Sequence, residues 1–512
     1  MRLIRWLMIM LVLSVVVTSC GQPGAAPPAA PPAETATTAA VLPTSTATIA
    51  ASPSPAATAE RATATDTAAT SAASATTGAA ATAETQTITA TDEVSATDSY
   101  QPPEWARGAV IYQVFVRTFT PEGTLAAATE RLPEIRDLGV DIVYLLPIHP
   151  IGAEKRKGSL GSPYSVRDYR AIDPALGTAD DFRRFVDTAH QLGLRVMMDL
   201  VANHSAWDNP LVTEHPRWYS RNAAGQIIPP NPDWSDVADF NYTNDELQQY
   251  MIDTSLYWVN EFGIDGYRSD AADQVPILFW RSWRAALKAA RPDLLLLSES
   301  GGVVMYSAGF EVTYDWTTQG QFTQALLTPR LAQRALSQVA AEQRRYNNQR
   351  WRMRYLENHD QERIASVART PEQRALAAAF LLTIPGLSLI YAGQEVGATE
   401  RPSLFEPHTV DFAGGDQALR KVYADLIGLR KTNPALRLGT LTTMSTRQQP
   451  FLLYERSTDD QRVLVAINMQ AESVQIPLED VTEGRDLRSG ATVDLTKGLS
   501  LDGYGYRLIE LP

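Results

Sequence analysis

The chain of 512 residues contains a single cysteine, Cys20. No intramolecular disulfide can form, so the fold must be held by buried surface rather than covalent staples. A positive charge balance is also missing. Forty-five Lys and Arg stand against 58 Asp and Glu, a formal net charge of −13. A nucleic-acid partner would want a basic face, and this composition argues against one. A neutral substrate suits it, and no organic cofactor or obligate protein partner is indicated. Beyond the N-terminus no segment is apolar enough to cross a membrane, which takes about 20 residues. Residues 21–99 are mostly Ala, Thr, Ser and Pro, almost without aromatic or large aliphatic side chains. Such a stretch cannot bury enough surface to offset its ordering entropy. The rest is rich enough in apolar residues, 44% over the whole chain, to fill a large core. Its length calls for more than one domain.

The N-terminus starts with Arg2 and Arg5, continues with a short apolar run over 7–17, and reaches Val17-Thr18-Ser19-Cys20. This resembles a bacterial lipoprotein signal, cleaved before a cysteine that then carries lipid. The resemblance implies a signal peptide over residues 1–20, lipidation of Cys20 and an extracytoplasmic protein anchored to the cell membrane. Residues 21–103 then form a disordered tether, with a reach on the order of 50 Å as flexible coil.

At Trp105 the composition changes. Apolar runs at 110–116, 140–148, 195–201, 263–270, 294–300, 310–316, 352–359 and 387–395 alternate with helix-period segments such as 180–192, 280–290 and 371–382. Eight buried strands each followed by a helix predict an α/β fold, a (β/α)8 TIM barrel over residues 104–432, its last helix near 417–432. The longer gap after the third run predicts a short inserted domain, 205–244. After Pro434 short alternating runs at 451–455, 463–467, 473–476 and 506–509 predict a C-terminal antiparallel β domain, a sandwich over 433–512.

The active site of such a barrel lies where the strands end. Four runs deliver acids there: Asp199-Leu-Val-Ala-Asn203-His204, Gly266-Tyr-Arg268-Ser-Asp270, Ser298-Glu299 and Glu357-Asn358-His359-Asp360. Arg268 and Asp270 are two apart on a strand and face the same way, so the cation favours an ionised Asp270. Glu299 follows four leucines, and an apolar setting raises a carboxyl pKa. A low and a high carboxyl at one site are what glycoside hydrolysis needs. A structural ion pair and a helix cap would explain the same residues equally well in isolation.

Together, in order and spacing, these motifs resemble the four signature regions of the α-amylase superfamily, and Tyr391-Ala-Gly-Gln-Glu395 resembles its eighth strand. The resemblance runs from about Trp105 to the end. It implies a retaining mechanism with Asp270 as nucleophile, Glu299 as acid/base and Asp360 on the sugar hydroxyls. It implies that Tyr164, His204, Arg268 and His359 line the subsite of the attacked glucose in a starch-like α-glucan or maltooligosaccharide. It also implies a calcium ion at Asn203, Asp239 and the carbonyl of Gln274. Asp199 reads as a support for the rim. Typical endo-acting members carry Lys-His where this chain has Asp273 and Gln274, and the family's glycine- and aspartate-rich loop after the first strand is absent. A 4-α-glucanotransferase would use the same site, and a non-catalytic partner protein would lack the complete acid set. The aromatic residues of the insertion, Trp207, Trp218, Tyr219 and Trp234, could stack on sugar or form the insertion's own small core.

Overall fold

The computed structural model describes residues 100–346, 349–444 and 449–512, all within one compact unit. The expected signal segment, Cys20 and the tether up to residue 99 lie outside the described residues. Eight parallel strands close into a barrel: β1 (Val110–Val114), β2 (Ile142–Leu145), β3 (Arg195–Leu200), β4 (Gly266–Ser269), β5 (Leu295–Ser298), β6 (Val312–Tyr314), β7 (Trp351–Arg354) and β8 (Leu387–Tyr391). Each strand neighbours the next in sequence, and β8 pairs with β1. Side chains alternate across the wall. Ile142 and Tyr144 fill the lumen with Ile111, Leu295, Leu297 and Met353. Val143 and Leu145 face outward, into the layer shared with the helices.

The expected strands overreach at their C-terminal ends. The run at 310–316 yields only Val312–Tyr314, because the Asp315 side chain accepts from the Thr318 N–H and caps a helix, Trp316–Leu327. A second helix, Ala332–Tyr346, follows before β7. The run at 352–359 stops at Arg354, leaving the fourth motif in a loop. Residues 100–103, assigned above to the tether, pack on the barrel. Arg284 lies over the Tyr100 ring at 4.0 Å, and the Trp351 indole donates to the Gln101 side chain at 2.9 Å. The barrel unit therefore begins before residue 104.

The insertion after β3 is a two-stranded antiparallel ribbon, His204–Ala206 with Val237–Asp239, closing a loop with two short helical turns. The C-terminal region is antiparallel. A six-stranded sheet runs in the order Thr440–Thr443, Phe451–Ser457, Arg462–Asn468, Tyr506–Leu511, Glu483–Asp486, Thr492–Asp494. A separate pair, Val474–Ile476 with Leu499–Leu501, shares an apolar cluster with Phe451, Leu453, Leu464 and Ile509 of the large sheet. The alternate residues Leu452, Tyr454, Val463 and Val465 join the main core. Arg456, fully buried, donates to the Thr383 and Gly439 carbonyls and fastens this sheet to the barrel.

Candidate active site

The register between β4 and β5 sets Ser269 against Ser298, so Asp270 and Glu299 emerge side by side at the rim. Gly266 permits the close approach. A Cβ there would sit 2.4 Å from the Leu295 carbonyl oxygen. Beyond Asp270 the backbone turns through Ala271 in the left-handed region, φ +42°. A non-glycine residue pays strain there, and the turn aims the Ala271 N–H at Glu299 Oε2, 2.7 Å away.

Arg268 joins the acids. Its Nη1 lies 2.8 Å from Asp199 Oδ1 and 2.9 Å from Asp270 Oδ1, and its Nη2 lies 2.7 Å from Glu299 Oε1. The Nη2 contact is close but is not aligned as a hydrogen bond. Asp199 also accepts from the Tyr144 hydroxyl (2.7 Å) and the Tyr164 hydroxyl (3.0 Å). It is 1% exposed, so it orients Arg268 and Tyr164 from behind the rim.

This sharing reverses one expectation. Arg268 was expected to hold Asp270 low. Burial and the Glu299 carboxylate instead push the Asp270 carboxyl well above its ordinary range, against the pull of Arg268. The physical reason is that one guanidinium serves three carboxylates, while Asp270 (12% of its side chain exposed) is more enclosed than Glu299 (19%). Asp270 therefore holds a proton more tightly than a lone carboxylate does.

The fourth motif is arranged by Asn358, whose side-chain oxygen accepts from the Asp360 and Gln361 N–H groups, both at 3.0 Å. Glu357 points away, into a fully buried pair with Arg363 at 2.6 Å. His359 Nδ1 lies 2.9 Å from Gln113 Nε2, and its Nε2 lies 2.7 Å from the Tyr164 hydroxyl and 3.0 Å from Asp360 Oδ2. Burial raises the Asp360 carboxyl, but the His359 hydrogen bond and charge, Arg268 and Arg401 outweigh it and hold it down at about 2. Asp360 is about one-third exposed. His204 is lowered to about 4 by burial, so its ring is neutral near pH 7.

A cavity of about 380 Å³ opens here, lined by Tyr164, His204, Asp270, Glu299, His359 and Asp360. The structure thus gathers every expected catalytic and sugar-binding residue in one place. Arg268 lies just beneath, 1% exposed. A larger cavity of about 710 Å³ around Phe119, Arg131 and Phe412 contains none of the strand-end acids, so size does not choose the site. The lining also includes Lys157, Asp236, Trp316, Leu404 and Phe405, which sequence reasoning missed. None sits in a strand-end motif, so no local signal marked them. The insertion's aromatics divide between the two readings. Trp218 and Tyr219 are buried in the core, Trp234 lines the cavity edge-on to His204, and Trp207 lies under Lys155.

Asn203 and Asp239 lie on adjacent backbones. The Phe240 N–H donates to the Asn203 carbonyl at 3.1 Å, and Asp239 pairs with His204. Burial raises the Asp239 carboxyl, and the Ser220 hydroxyl lowers it. The set is thin for calcium. It offers one carboxylate, one amide and the Gln274 carbonyl, where Ca²⁺ takes six to eight oxygens. Among the described residues no three His, Cys, Asp or Glu cluster around a common point.

The sequence profile described as alpha amylase, catalytic domain, matches residues 73–226 and 231–430. The chain belongs to the α-amylase family. It is accordingly a glycoside hydrolase. The match opens inside the stretch expected to be tether. An alpha-amylase from Lactobacillus plantarum superposes with a TM-score of 0.72 at 34% identity, covering 80% of this chain and all of that one. A noncanonic maltogenic alpha-amylase from Thermotoga neapolitana gives 0.72 at 30% identity, covering 79% and 98%. The alpha-amylase MalA of Haloarcula japonica is 30% identical across 78% of this chain and 60% of its own length. These relatives place the amylase fold on the described barrel and on the antiparallel sheets that follow it.

Proposed function

We propose that this chain is a retaining hydrolase of α-glucosidic bonds in starch-like oligo- or polysaccharides, with Asp270 as nucleophile and Glu299 as acid/base. The observation that carries the reading is the single guanidinium of Arg268 in contact with both Asp270 and Glu299 at the mouth of the cavity. Two carboxyls side by side at the cavity mouth supply the two roles, one as carboxylate and one as acid. Glu299, whose carboxyl is oriented by the Ala271 N–H at 2.7 Å, serves as the proton donor. Ionised Asp270 attacks the anomeric carbon as Glu299 protonates the departing glycosidic oxygen. A glucosyl ester on Asp270 results. Glu299, now a carboxylate, takes a proton from water, which attacks the same carbon and frees Asp270. Asp360, charged across the working range, pairs with hydroxyls of the attacked sugar. Tyr164, neutral His204 and His359 line that sugar's walls.

A 2-deoxy-2-fluoroglucosyl inhibitor should leave its label on the peptide containing Asp270, and the first product should retain its anomeric configuration. Label on another carboxylate, or inversion, would overturn the assignment.

Two further parts of the reading have their own tests. Lipid on Cys20 would hold the enzyme at the outer face of the cell membrane, supported by the N-terminal pattern. Cys20→Ser should release it, and a variant that stayed membrane-bound would end that idea. Calcium at Asn203, Asp239 and the Gln274 carbonyl is supported by the adjacency of the first two. No catalytic step depends on it.

A further inference from the structure

In an eight-stranded ring β1 lies diametrically opposite β5, the strand that carries Glu299. The leaving group departs on the Glu299 side, so the rest of the donor sugar, and any chain attached to its non-reducing end, must extend toward β1. That direction is built over. The loop after β2 and the loop after β8 meet above β1 and are tied together. The Leu160 N–H donates to the Phe405 carbonyl (2.9 Å), and Ser159 donates to Glu406 through its N–H (3.1 Å) and its hydroxyl (2.5 Å). The segments fit closely. A Cβ at Gly158, itself at φ +64°, would lie 2.6 Å from the Phe405 Cβ. Arg117, from the turn after β1, donates to the Leu404 carbonyl (2.7 Å) and the Gly161 carbonyl (3.2 Å), bracing the clasp from below. Lys157 then crosses to the insertion and pairs with Asp236 at 2.9 Å. Lys157, Leu404 and Phe405 all line the catalytic cavity.

We infer that this clasp makes the site a dead end on the non-reducing side, so that the enzyme attacks α-glucan chains from their non-reducing ends rather than at internal bonds. The inference rests on the proposed function and adds the substrate class. The accepted donor is a chain whose terminal residue, with at most a short extension, fits between Glu299 and the clasp. The cavity of about 380 Å³ stands near the lower end of the roughly 300–1,000 Å³ usual for ligand pockets, in keeping with a short donor. An internal bond of a long chain cannot reach Asp270, because glucose units on both sides would have to pass through the backbone of residues 158–161 and 404–406. Ser159 and Glu406 touch no sugar in this scheme. They are specificity-determining because they hold the wall.

The test uses maltoheptaose and the same oligosaccharide blocked at its non-reducing 4- and 6-hydroxyls by an ethylidene group, with products separated by chromatography. The wild-type chain should shorten free maltoheptaose from its non-reducing end and cut the blocked form about 100-fold more slowly or worse, a barrier difference of about 2.7 kcal/mol. Glu406→Ala should keep its rate on 4-nitrophenyl α-glucoside within about 2-fold and gain about tenfold on the blocked chain. Ser159→Ala should shift the same way, and it stands in if Glu406→Ala melts early. Comparable rates on blocked and free chains would overturn the dead end while leaving the hydrolase reading intact. Refusal of the blocked chain with no gain in either variant would remove the clasp as its cause. No cleavage of free maltoheptaose or of the aryl glucoside would overturn the proposed function, and the inference with it.

Discussion

Arg268→Met removes the one cation that two buried carboxylates, Asp199 and Asp270, share with the half-buried Glu299. The arginine side chain is 1% exposed and stands 2.7 to 2.9 Å from Asp199, Asp270 and Glu299. Removing one partner of a buried ion pair costs about 3–5 kcal/mol, because the remaining charge is left without compensation. At a conservative 2 °C or so per kcal/mol, the melting temperature near pH 7 should fall by roughly 6 °C or more. The pH dependence discriminates further. Asp270 is already raised in the folded protein, and Arg268 is the group that pulls it back. Without Arg268 it rises further. A carboxyl whose folded pKa exceeds its unfolded value binds more protons folded than unfolded, so it favours folding in acid and opposes it as pH rises. The deficit of Arg268→Met relative to wild type should therefore be largest at neutral and alkaline pH. It should shrink as pH falls through the elevated Asp270 value toward the ordinary carboxylate range. Activity on an aryl α-glucoside should fall, since less of the nucleophile is ionised. Scanning calorimetry at several pH values, with circular dichroism to confirm the fold, reads all of this. A melting temperature within about 1 °C of wild type, or a deficit that deepens in acid, would refute the reasoning, since neither fits a buried carboxylate cluster that has lost its counter-charge.

Asp270→Asn should lose activity by about 10⁴-fold or more with an unchanged circular dichroism spectrum; residual glucan hydrolysis near wild type would exclude Asp270 as nucleophile. Glu299→Gln should lose about 10²–10⁴-fold on maltooligosaccharides but far less on α-glucosyl fluoride, whose leaving group needs no proton; equal losses on both would argue against the acid role. Asp360→Asn should lower kcat by roughly 10²–10³-fold with a smaller change in KM. Asp360 sits at about 2 and does not itself titrate in the acid limb above pH 4, but its charge helps raise Asp270, so the limb's midpoint should move to lower pH in the variant. Chelator should lower the melting temperature if calcium binds at Asn203 and Asp239, through the linkage of ligand binding to folding; no change would discard that site.

The sequence by itself determined what short segments decide. An apolar run that ends in an acid states both that a strand is buried and that its end is functional. Eight apolar runs with helices between them were enough to name the barrel and its rim, and the motifs at four of their ends, through their resemblance to the α-amylase superfamily, named Asp270, Glu299 and Asp360. Helices with clear periodicity were legible almost to the residue, as at Gln417–Thr432. Short polar strands were not. Glu483–Asp486 reads Glu-Gly-Arg-Asp, which carries turn chemistry, and it becomes a strand because Tyr506–Leu511 and Thr492–Asp494 pair with it on its two sides. Strand ends were overextended because an apolar side chain such as Tyr355 is buried in a loop as well as in a strand.

Tertiary structure alone decided quantities that depend on counting neighbours in space. Arg268 beside Asp270 on one strand predicted a depressed carboxyl. Burial at the closed rim, with Glu299 on β5 and Asp199 on β3 dividing that charge, turns the shift upward. The wall across the donor side joins Ser159 to Glu406, 247 positions apart, and Lys157 to Asp236. Ser159, Glu406 and Lys157 are ordinary exposed or half-buried polar residues, and Asp236 is buried, with nothing in its own segment to mark it. Their meaning appears only when the closure of the barrel brings the loops after β2, β3 and β8 over one cavity, since hydrogen bonds and charges act over a few ångströms of space and not along the chain.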